Sequence, residues 1–428
     1  MRAVVAALAA CTLTCLGGAS PLSAQEPVVV TAPATAPINV FLDCDRCDFD
    51  YLRTEISAVN WVRDRQVADV HVLVSTQSTG AGGVEYTLAF LGRRRFNELD
   101  DSLTYVSKPA SVDDETRRGL AHVIKLGLAR YVVRATGAER VTISFAAPDA
   151  TSTAKVVRDP WNYWVFRTAV NGFGNGETSN RSRFIFSDFS ANRITENWKT
   201  NLSFNVSYDE STYELSDGER FVNVQRNYGV EFLQVKSMGQ HWSAGMTGGV
   251  GSSTYLNERR VLRFAPAIEY NFFSYKESTR RQLRLQYSVG PARYDYQDTT
   301  IFLKMRETVP VQSLAAAISA RQPWGSVSIN SEARNFIDDP SKRFMSVGGE
   351  VSIRIIKGLN FNVGGQVSSI HDQIYLAKED LTDEQILVRQ RQLATSYRYF
   401  ANFGVSYTFG SILNNVVNPR FGSNGGCC

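Results

Sequence analysis

Residues 397–409 read YRYFANFGVSYTF, and their side chains alternate in character along the segment. Every odd-numbered position is apolar or aromatic, whereas the even-numbered positions are mostly polar or glycine. Successive side chains of a β-strand point to opposite faces of a sheet. A strand here would therefore have one apolar face and one mainly polar face. Such a division is typical of strands that cross a membrane, with lipid on one side and a polar interior on the other.

The same alternation recurs upstream, from about Trp161, in segments that begin near Leu283, Val347 and Leu359. These segments run for about 12 to 18 residues, whereas strands of soluble proteins mostly have about five or six. Aromatic residues gather near the segment ends, as they do in the girdles of membrane barrels. A soluble β-sandwich also alternates and is the competing interpretation.

Segment spacing predicts twelve strands between residues 162 and 409. The connections alternate between short, such as 357–358, and long, such as 372–392, as in bacterial outer-membrane barrels. Ten or fourteen strands stay open because residues 296–320 are weakly patterned. The predicted fold class is mainly β: a C-terminal transmembrane antiparallel β-barrel of about twelve strands, preceded by a small α+β domain.

The N-terminal residues predict an exported protein. A positive start, an apolar stretch and Leu22-Ser23-Ala24 are typical of a secretory signal peptide. A lipidated Cys11 after Leu8-Ala9-Ala10 is the alternative. The predicted divisions are a signal peptide over 1–24, a flexible lead over 25–37, a periplasmic α+β domain over 38–155, an outer-membrane barrel over 160–410 and a periplasmic tail over 411–428.

Within residues 38–155, β-type runs alternate with two helical patterns. Asp48 is a predicted N-cap of the first helix, and the second helix covers 113–133. We expect Val70–Ser75 to be an edge strand that could accept a strand from a partner. The net charge is +4 with scattered arginine pairs, so we expect no nucleic-acid partner, since such partners require a concentrated basic surface.

Cys44 and Cys47 are predicted to form a disulfide, the default for cysteines in an oxidising compartment. A redox-active pair is disfavoured because the neighbouring aspartates would raise a thiol pKa. A metal site would need more ligands than His71 and His122 supply. We therefore expect no metal and no cofactor.

The last segment contains Asn402, Gly404, Tyr407 and Phe409 in the pattern polar-x-Gly-x-x-aromatic-x-aromatic. This pattern resembles the insertion signal of outer-membrane barrels. The resemblance implies recognition of these residues by the barrel-assembly machinery, although the chain continues beyond Phe409 to Cys428.

Five charged residues on the polar side of their segments are candidate lumen residues. They either pair and fill the interior or line a polar path, because an interior of about twelve strands lies near the border between packed and open. They are Arg284, Glu332, Arg334, Glu350 and Arg354.

We expect no enzymatic activity. His241-Trp242-Ser243 and His371-Asp372 are the only neighbourhoods that suggest a Ser-His pair, and the sequence has no Gly-x-Ser-x-Gly. Isolated histidines at strand ends are usually interfacial residues, and we expect no catalytic geometry around these two. A lipid-modifying enzyme of the outer membrane is therefore the least favoured alternative.

The segment from Asn39 to Tyr131 resembles a module found before barrels in bacterial outer-membrane proteins, and its element order is similar to that of the amino-terminal domain of TolB. No activity carries over from either resemblance. The segments that carry the first resemblance are Phe41-Leu42-Asp43-Cys44, Cys47-Asp48, Val62-Arg63-Asp64-Arg65 and Ala68-Asp69-Val70-His71-Val72-Leu73-Val74.

Two functions follow as hypotheses. The first is a barrel that anchors a periplasmic interaction domain, with a structural or assembly role. The second is a passive, porin-like channel for small polar solutes. The expected partners are outer-membrane lipid, the barrel-assembly machinery during insertion and an unidentified periplasmic protein.

Overall fold

The computed structural model describes residues 37–80, 82–108, 111–138, 141–142, 159–214, 218, 220–378, 391–411, 413 and 415. The predicted signal peptide, nearly all of the flexible lead and most of the tail lie outside these residues. All of these described residues belong to one compact unit. Among the described residues, neither helix is long and apolar enough to cross a membrane.

The first part of this unit is a small α+β domain, as predicted. Its strands lie side by side in the order β2-β1-β3-β4-β5. β1 runs parallel to both of its neighbours, and the remaining pairs are antiparallel. The elements are β1 (Asn39–Asp43), α1 (Phe49–Glu55), β2 (Asn60–Trp61), β3 (Val70–Ser78), β4 (Val84–Gly92), β5 (Asp101–Val106) and α2 (Asp113–Thr136).

The strand order corrects the prediction for Val70–Ser75. β3 lies in the middle of the sheet, paired with β4 along its whole length and with β1 over Val70–Leu73, so those four residues have no free edge for a partner. The edges are β2 and β5. The near-continuous burial of β3 is the expected mark of a central strand, since both of its faces are covered.

One face of the small sheet packs against the helices. Val40, Val72 and Leu88 from the strands, and Ile124 and Leu128 from α2, are buried in one apolar cluster. The predicted cap of α1 is present, because the Asp48 carboxylate accepts a hydrogen bond of 3.0 Å from the Tyr51 N–H. The opposite face of the sheet carries Phe41, Asp43, His71 and Leu73, which pair across β1 and β3.

The second part is a twelve-stranded antiparallel sheet in which every strand pairs with its neighbours in sequence. This confirms the predicted mainly β fold class and the count of twelve strands. The strands are β6 (Trp164–Gly176), β7 (Asn180–Ile194), β8 (Trp198–Glu214), β9 (Arg220–Met238), β10 (Trp242–Ser253), β11 (Glu258–Asn271), β12 (Arg281–Tyr296), β13 (Arg306–Gln322), β14 (Gly325–Phe336), β15 (Arg343–Ile356), β16 (Leu359–Ile370) and β17 (Tyr397–Tyr407).

The register divides this large sheet into an apolar face and a polar face. Phe403 lies opposite Val363, and Val363 lies opposite Val351, so apolar residues adjoin across strands. This face is open to the surroundings: Phe403 is 81% exposed and Phe409 is 78% exposed. Exposed apolar surface on this scale marks an interaction with lipid or with another protein. Among the described strands, β6 pairs only with β7 and β17 only with β16.

Candidate functional site at the junction of the two parts

The small domain contacts the end of the large sheet where the connections are short. The turn between β13 and β14 and the turn between β15 and β16 both lie against it. The contacting surface of the domain is the face that carries Asp43 and His71, opposite the helices. We call this region the junction.

Three ion pairs cross the junction, and each has the same polarity. The carboxylates belong to the small domain and the cations to the large sheet. Arg354 binds Asp43 through both guanidinium nitrogens, with Nη2 at 2.6 Å from Oδ1. Arg321 Nη2 lies 2.8 Å from Asp45 Oδ2, and Lys357 Nζ lies 3.9 Å from Asp64 Oδ2. A two-point arginine–carboxylate contact is among the stronger and more directional polar contacts.

Asp43 also contacts His71, whose ring is completely buried. His71 Nε2 lies 3.3 Å from Asp43 Oδ2, and the Phe41 ring meets the imidazole edge-on. Burial would raise the pKa of Asp43, but hydrogen bonds from Arg354 and His71 outweigh it and hold that pKa well below its usual range. Burial lowers the pKa of His71 more than Asp43 raises it. His71 is therefore neutral near pH 7, with Nε2–H as the donor to Asp43.

The segment that follows β17 adds main-chain contacts to the junction. Leu413 forms an antiparallel bridge with Val62, next to β2. Asn415 Oδ1 accepts a hydrogen bond of 2.6 Å from the Trp61 N–H. Arg63 donates to the carbonyl of Ser411. The described start of the predicted tail thus lies beside the β2 edge of the small sheet, through one isolated bridge and side-chain hydrogen bonds.

All five predicted lumen residues lie on the polar face of the large sheet, as the cross-strand pairs show. Arg284 lies 3.7 Å from Glu269, and Arg334 lies 3.6 Å from Glu332. Glu350 shares this face. Arg354, at the end of the row, contacts Asp43 of the small domain instead of another lumen residue. Sequence reasoning could not have found that partner, because 311 positions separate the two residues.

At the other end of the large sheet, the segment 371–378 packs over the polar face. Ile374 is buried among Tyr294, Tyr296 and Phe336. The Asp372 carboxylate lies 2.8 Å from Arg334 Nη2. Residues 379–390 of this connection lie outside the described residues. The segment 371–378 therefore covers the polar face at the long-loop end of the sheet, opposite the junction.

The residues of the predicted insertion signal divide between the two faces. Tyr407 and Phe409 stack on the apolar face with 5.6 Å between ring centroids, while Asn402 and Gly404 lie on the polar face. A Cβ at Gly404 would come within 2.6 Å of Asn362 Oδ1, so a larger residue there would require the Asn362 side chain to shift.

Of the remaining sequence candidates, the structure joins the two cysteines and leaves the two histidines far apart. Cys44 and Cys47 are joined by a disulfide with 5.7 Å between their Cα atoms, next to the junction. His241 lies in the short turn before β10, and His371 follows β16 at the opposite end of the sheet. Among the residues that the structure describes, no cluster of three or more His, Cys, Asp or Glu could hold a metal ion.

Comparison with known proteins assigns no family. No family model matches the chain, and no curated protein matches it. A solved structure of the NanC porin is similar over 56% of this chain and 99% of its own, with 8% identity and a TM-score of 0.27. A TM-score this low carries no argument, so the resemblances to TolB and to a barrel-associated module stay predictions.

Proposed function

We propose that the protein is an outer-membrane β-barrel of a Gram-negative bacterium that holds a periplasmic interaction domain against its mouth. The twelve strands would close by pairing β6 with β17, because unpaired strand edges are not tolerated in a lipid interior. The exposed apolar face would contact lipid, and the polar face would line the interior. In this proposal the short connections, and the junction with them, would lie on the periplasmic side.

The observation that carries this proposal is the shared polarity of the three ion pairs that cross the junction. Asp43, Asp45 and Asp64 all belong to the domain, and their cationic partners all belong to the sheet. Complementary charges fix the register of two surfaces and exclude other arrangements. The ion pairs therefore hold the domain against the end of the sheet in a defined orientation. This supports an anchoring role and disfavours a domain connected to the barrel only by a flexible linker.

A passive channel is the second candidate, and one observation favours it. The polar face contains a cavity of about 380 Å³ between β12 and β16, lined by residues that include Arg284, Glu332 and Gly348. Glycines along such a face leave space for small solutes. Two observations disfavour an open path for solutes along the polar face. The small domain lies over one end of the sheet, and Ile374 is packed over the other end.

Two measurements test these alternatives. Heat-modifiable gel mobility of the purified protein tests barrel closure. Planar-bilayer conductance is then compared between the wild type and a variant with Asp43, Asp45 and Asp64 all replaced by asparagine. The matched control carries Asp113→Asn and Glu115→Gln, which change charge on α2, away from the junction.

The anchor proposal expects low conductance from all three proteins, with protease sensitivity of the small domain rising only in the triple variant. Conductance steps in the triple variant alone would instead establish a channel gated by the domain. Steps in the wild type would refute the anchor. The absence of any heat-dependent mobility shift would refute the barrel.

A further inference from the structure

A large cavity lies between the small domain and the ends of β15, β16 and β17. Its volume is about 990 Å³ and it is partly open to the surroundings. The domain contributes Arg53, Trp61, Arg63 and Arg65 to its wall, and the sheet side contributes residues that include Lys357 and Phe409. The cavity adjoins the Arg354–Asp43 and Lys357–Asp64 ion pairs of the junction.

The charged residues around this cavity are mostly cations: Arg53, Arg63, Arg65, Arg354 and Lys357, against the single carboxylate of Asp64. Arg53 and Arg354 have carboxylate partners in Asp50 and Asp43. Within the described part of the chain, Arg63 and Arg65 instead donate to the main-chain carbonyls of Ser411 and Pro323. A carbonyl leaves the charge of a guanidinium uncompensated.

Arg65 shows the consequence of this excess of positive charge. Burial and repulsion from Arg354 and Arg93 lower the pKa of its guanidinium, and Asp64 and Asp43 offset this only in part. An anion placed in the cavity would relieve this repulsion. A phosphate suits the position, since the planar fork of arginine matches phosphate oxygens at two points.

The other part of the wall is apolar and continues onto the apolar face of the sheet. Ile356 and Tyr407 are each 60% exposed, and Phe409 is 78% exposed. The guanidinium of Arg63 lies beside this rim. Its Nη2 is 3.9 Å from the position that a Cβ would occupy on Gly410, the residue that follows Phe409. A cationic pocket that adjoins an exposed apolar rim suits a ligand with an anionic head and an apolar tail.

We propose that this cavity binds the phosphate-bearing head group of an anionic phospholipid from the membrane leaflet at the short-turn end. Arg63 and Arg65 hold the phosphate, and the acyl chains lie along Ile356, Tyr407 and Phe409. This inference rests on the proposed membrane barrel. Free inorganic phosphate offers the same anionic chemistry, but it would leave the apolar rim uncovered.

The test uses the full-length protein in detergent and measures phospholipid binding by native mass spectrometry. The lipid probes are phosphatidylglycerol and phosphatidylcholine, and inorganic phosphate is added as a competitor. The variant carries Arg63→Gln and Arg65→Gln. The control is Arg118→Gln, which removes a cation from the exposed surface of α2. Heat-modifiable mobility is recorded for every protein.

We expect phosphatidylglycerol to bind at least about tenfold more tightly than phosphatidylcholine. Both lipids carry a phosphate, but phosphatidylcholine adds a quaternary ammonium cation, which the cations around the cavity would repel. The double variant should lose this preference, and R118Q should keep it. Equal binding of both lipids, an unchanged double variant or complete displacement by millimolar inorganic phosphate would each overturn the lipid site. If the wild type shows no heat-dependent mobility shift, the barrel itself is refuted. If it shows the shift but binds both lipids equally, only this inference is refuted.

Discussion

Replacing Asp43 with asparagine removes one charge from the centre of the junction with almost no change in side-chain size. In the structure the Asp43 side chain is 7% exposed and that of Arg354 is 28% exposed. The change leaves the Arg354 guanidinium without its carboxylate. It also replaces one of the two acceptor oxygens with an NH₂ group, so the contacts that Arg354 and His71 make to Oδ1 and Oδ2 cannot all be kept.

The size of the effect follows from this burial. Removing one partner of a buried ion pair costs about 3–5 kcal/mol, because the other charge is left uncompensated. Arg354 keeps some access to water, so we expect D43N to lower the free energy of opening the junction by about 2–4 kcal/mol. A double-mutant cycle with Arg354→Gln should give a coupling of about 1.5–3 kcal/mol.

Hydrogen exchange of the backbone amides of β1 and β3, measured on the full-length protein in detergent, is the assay. The matched control is the cycle between Asp114 and Arg118, an i,i+4 pair on α2 with 43% and 62% side-chain exposure. Exposed pairs of this kind are weak because water and salt screen them. A coupling for Asp43 and Arg354 no larger than that of the control pair would refute the reasoning that this contact holds the domain in place.

Three further predictions concern pH, helix packing and the long-loop cover. Burial lowers the pKa of His71, so as pH falls below about 6.5 the imidazole binds a proton in the opened state before it does so in the closed state. We therefore expect the free energy of opening the junction to fall between pH 7 and 5. Hydrogen exchange measured against pH should show no such fall in H71N and the same fall in H122N. Gly127→Ala would place a Cβ 2.0 Å from the buried Phe90 ring, so we expect overpacking to lower the free energy of unfolding by about 1–3 kcal/mol. Urea unfolding measures this, and a higher midpoint in the variant would contradict it. Ile374→Ala opens a gap in a buried cluster and should cost about 2–5 kcal/mol locally; unchanged cleavage of that loop in limited proteolysis would contradict the packed cover.

Much of the large sheet was predictable because its pattern is local. A strand repeats its side-chain direction every two residues, so the alternation over 397–409 identifies which residues share a face before any partner strand is known. Each antiparallel neighbour follows after a connection, so sequence order and spatial order coincide. Strand bounds were less predictable: β13 starts at Arg306, inside the weakly patterned residues 296–320.

The small domain shows where local pattern stops being sufficient. The N-cap at Asp48 was predictable because its partner, the Tyr51 N–H, is three residues away. The central position of β3 in the sheet was not predictable. β3 pairs in parallel with β1 through a crossover connection, and its apolar run would be the same at an edge or in the centre. Strand order in a mixed sheet depends on contacts between elements, and periodicity contains no such information.

The junction is the clearest case of a feature that only tertiary structure specifies. Asp43, Asp45 and Asp64 are ordinary acidic residues in the sequence, and Arg354 was placed among lumen charges without a partner. Their pairing arises because the small domain and the sheet turns meet at one end of the molecule. Alternation and capping depend on neighbours within a few positions, so the sequence reveals them directly. Ion pairs between residues hundreds of positions apart depend on how the whole chain folds, and only the folded arrangement shows them.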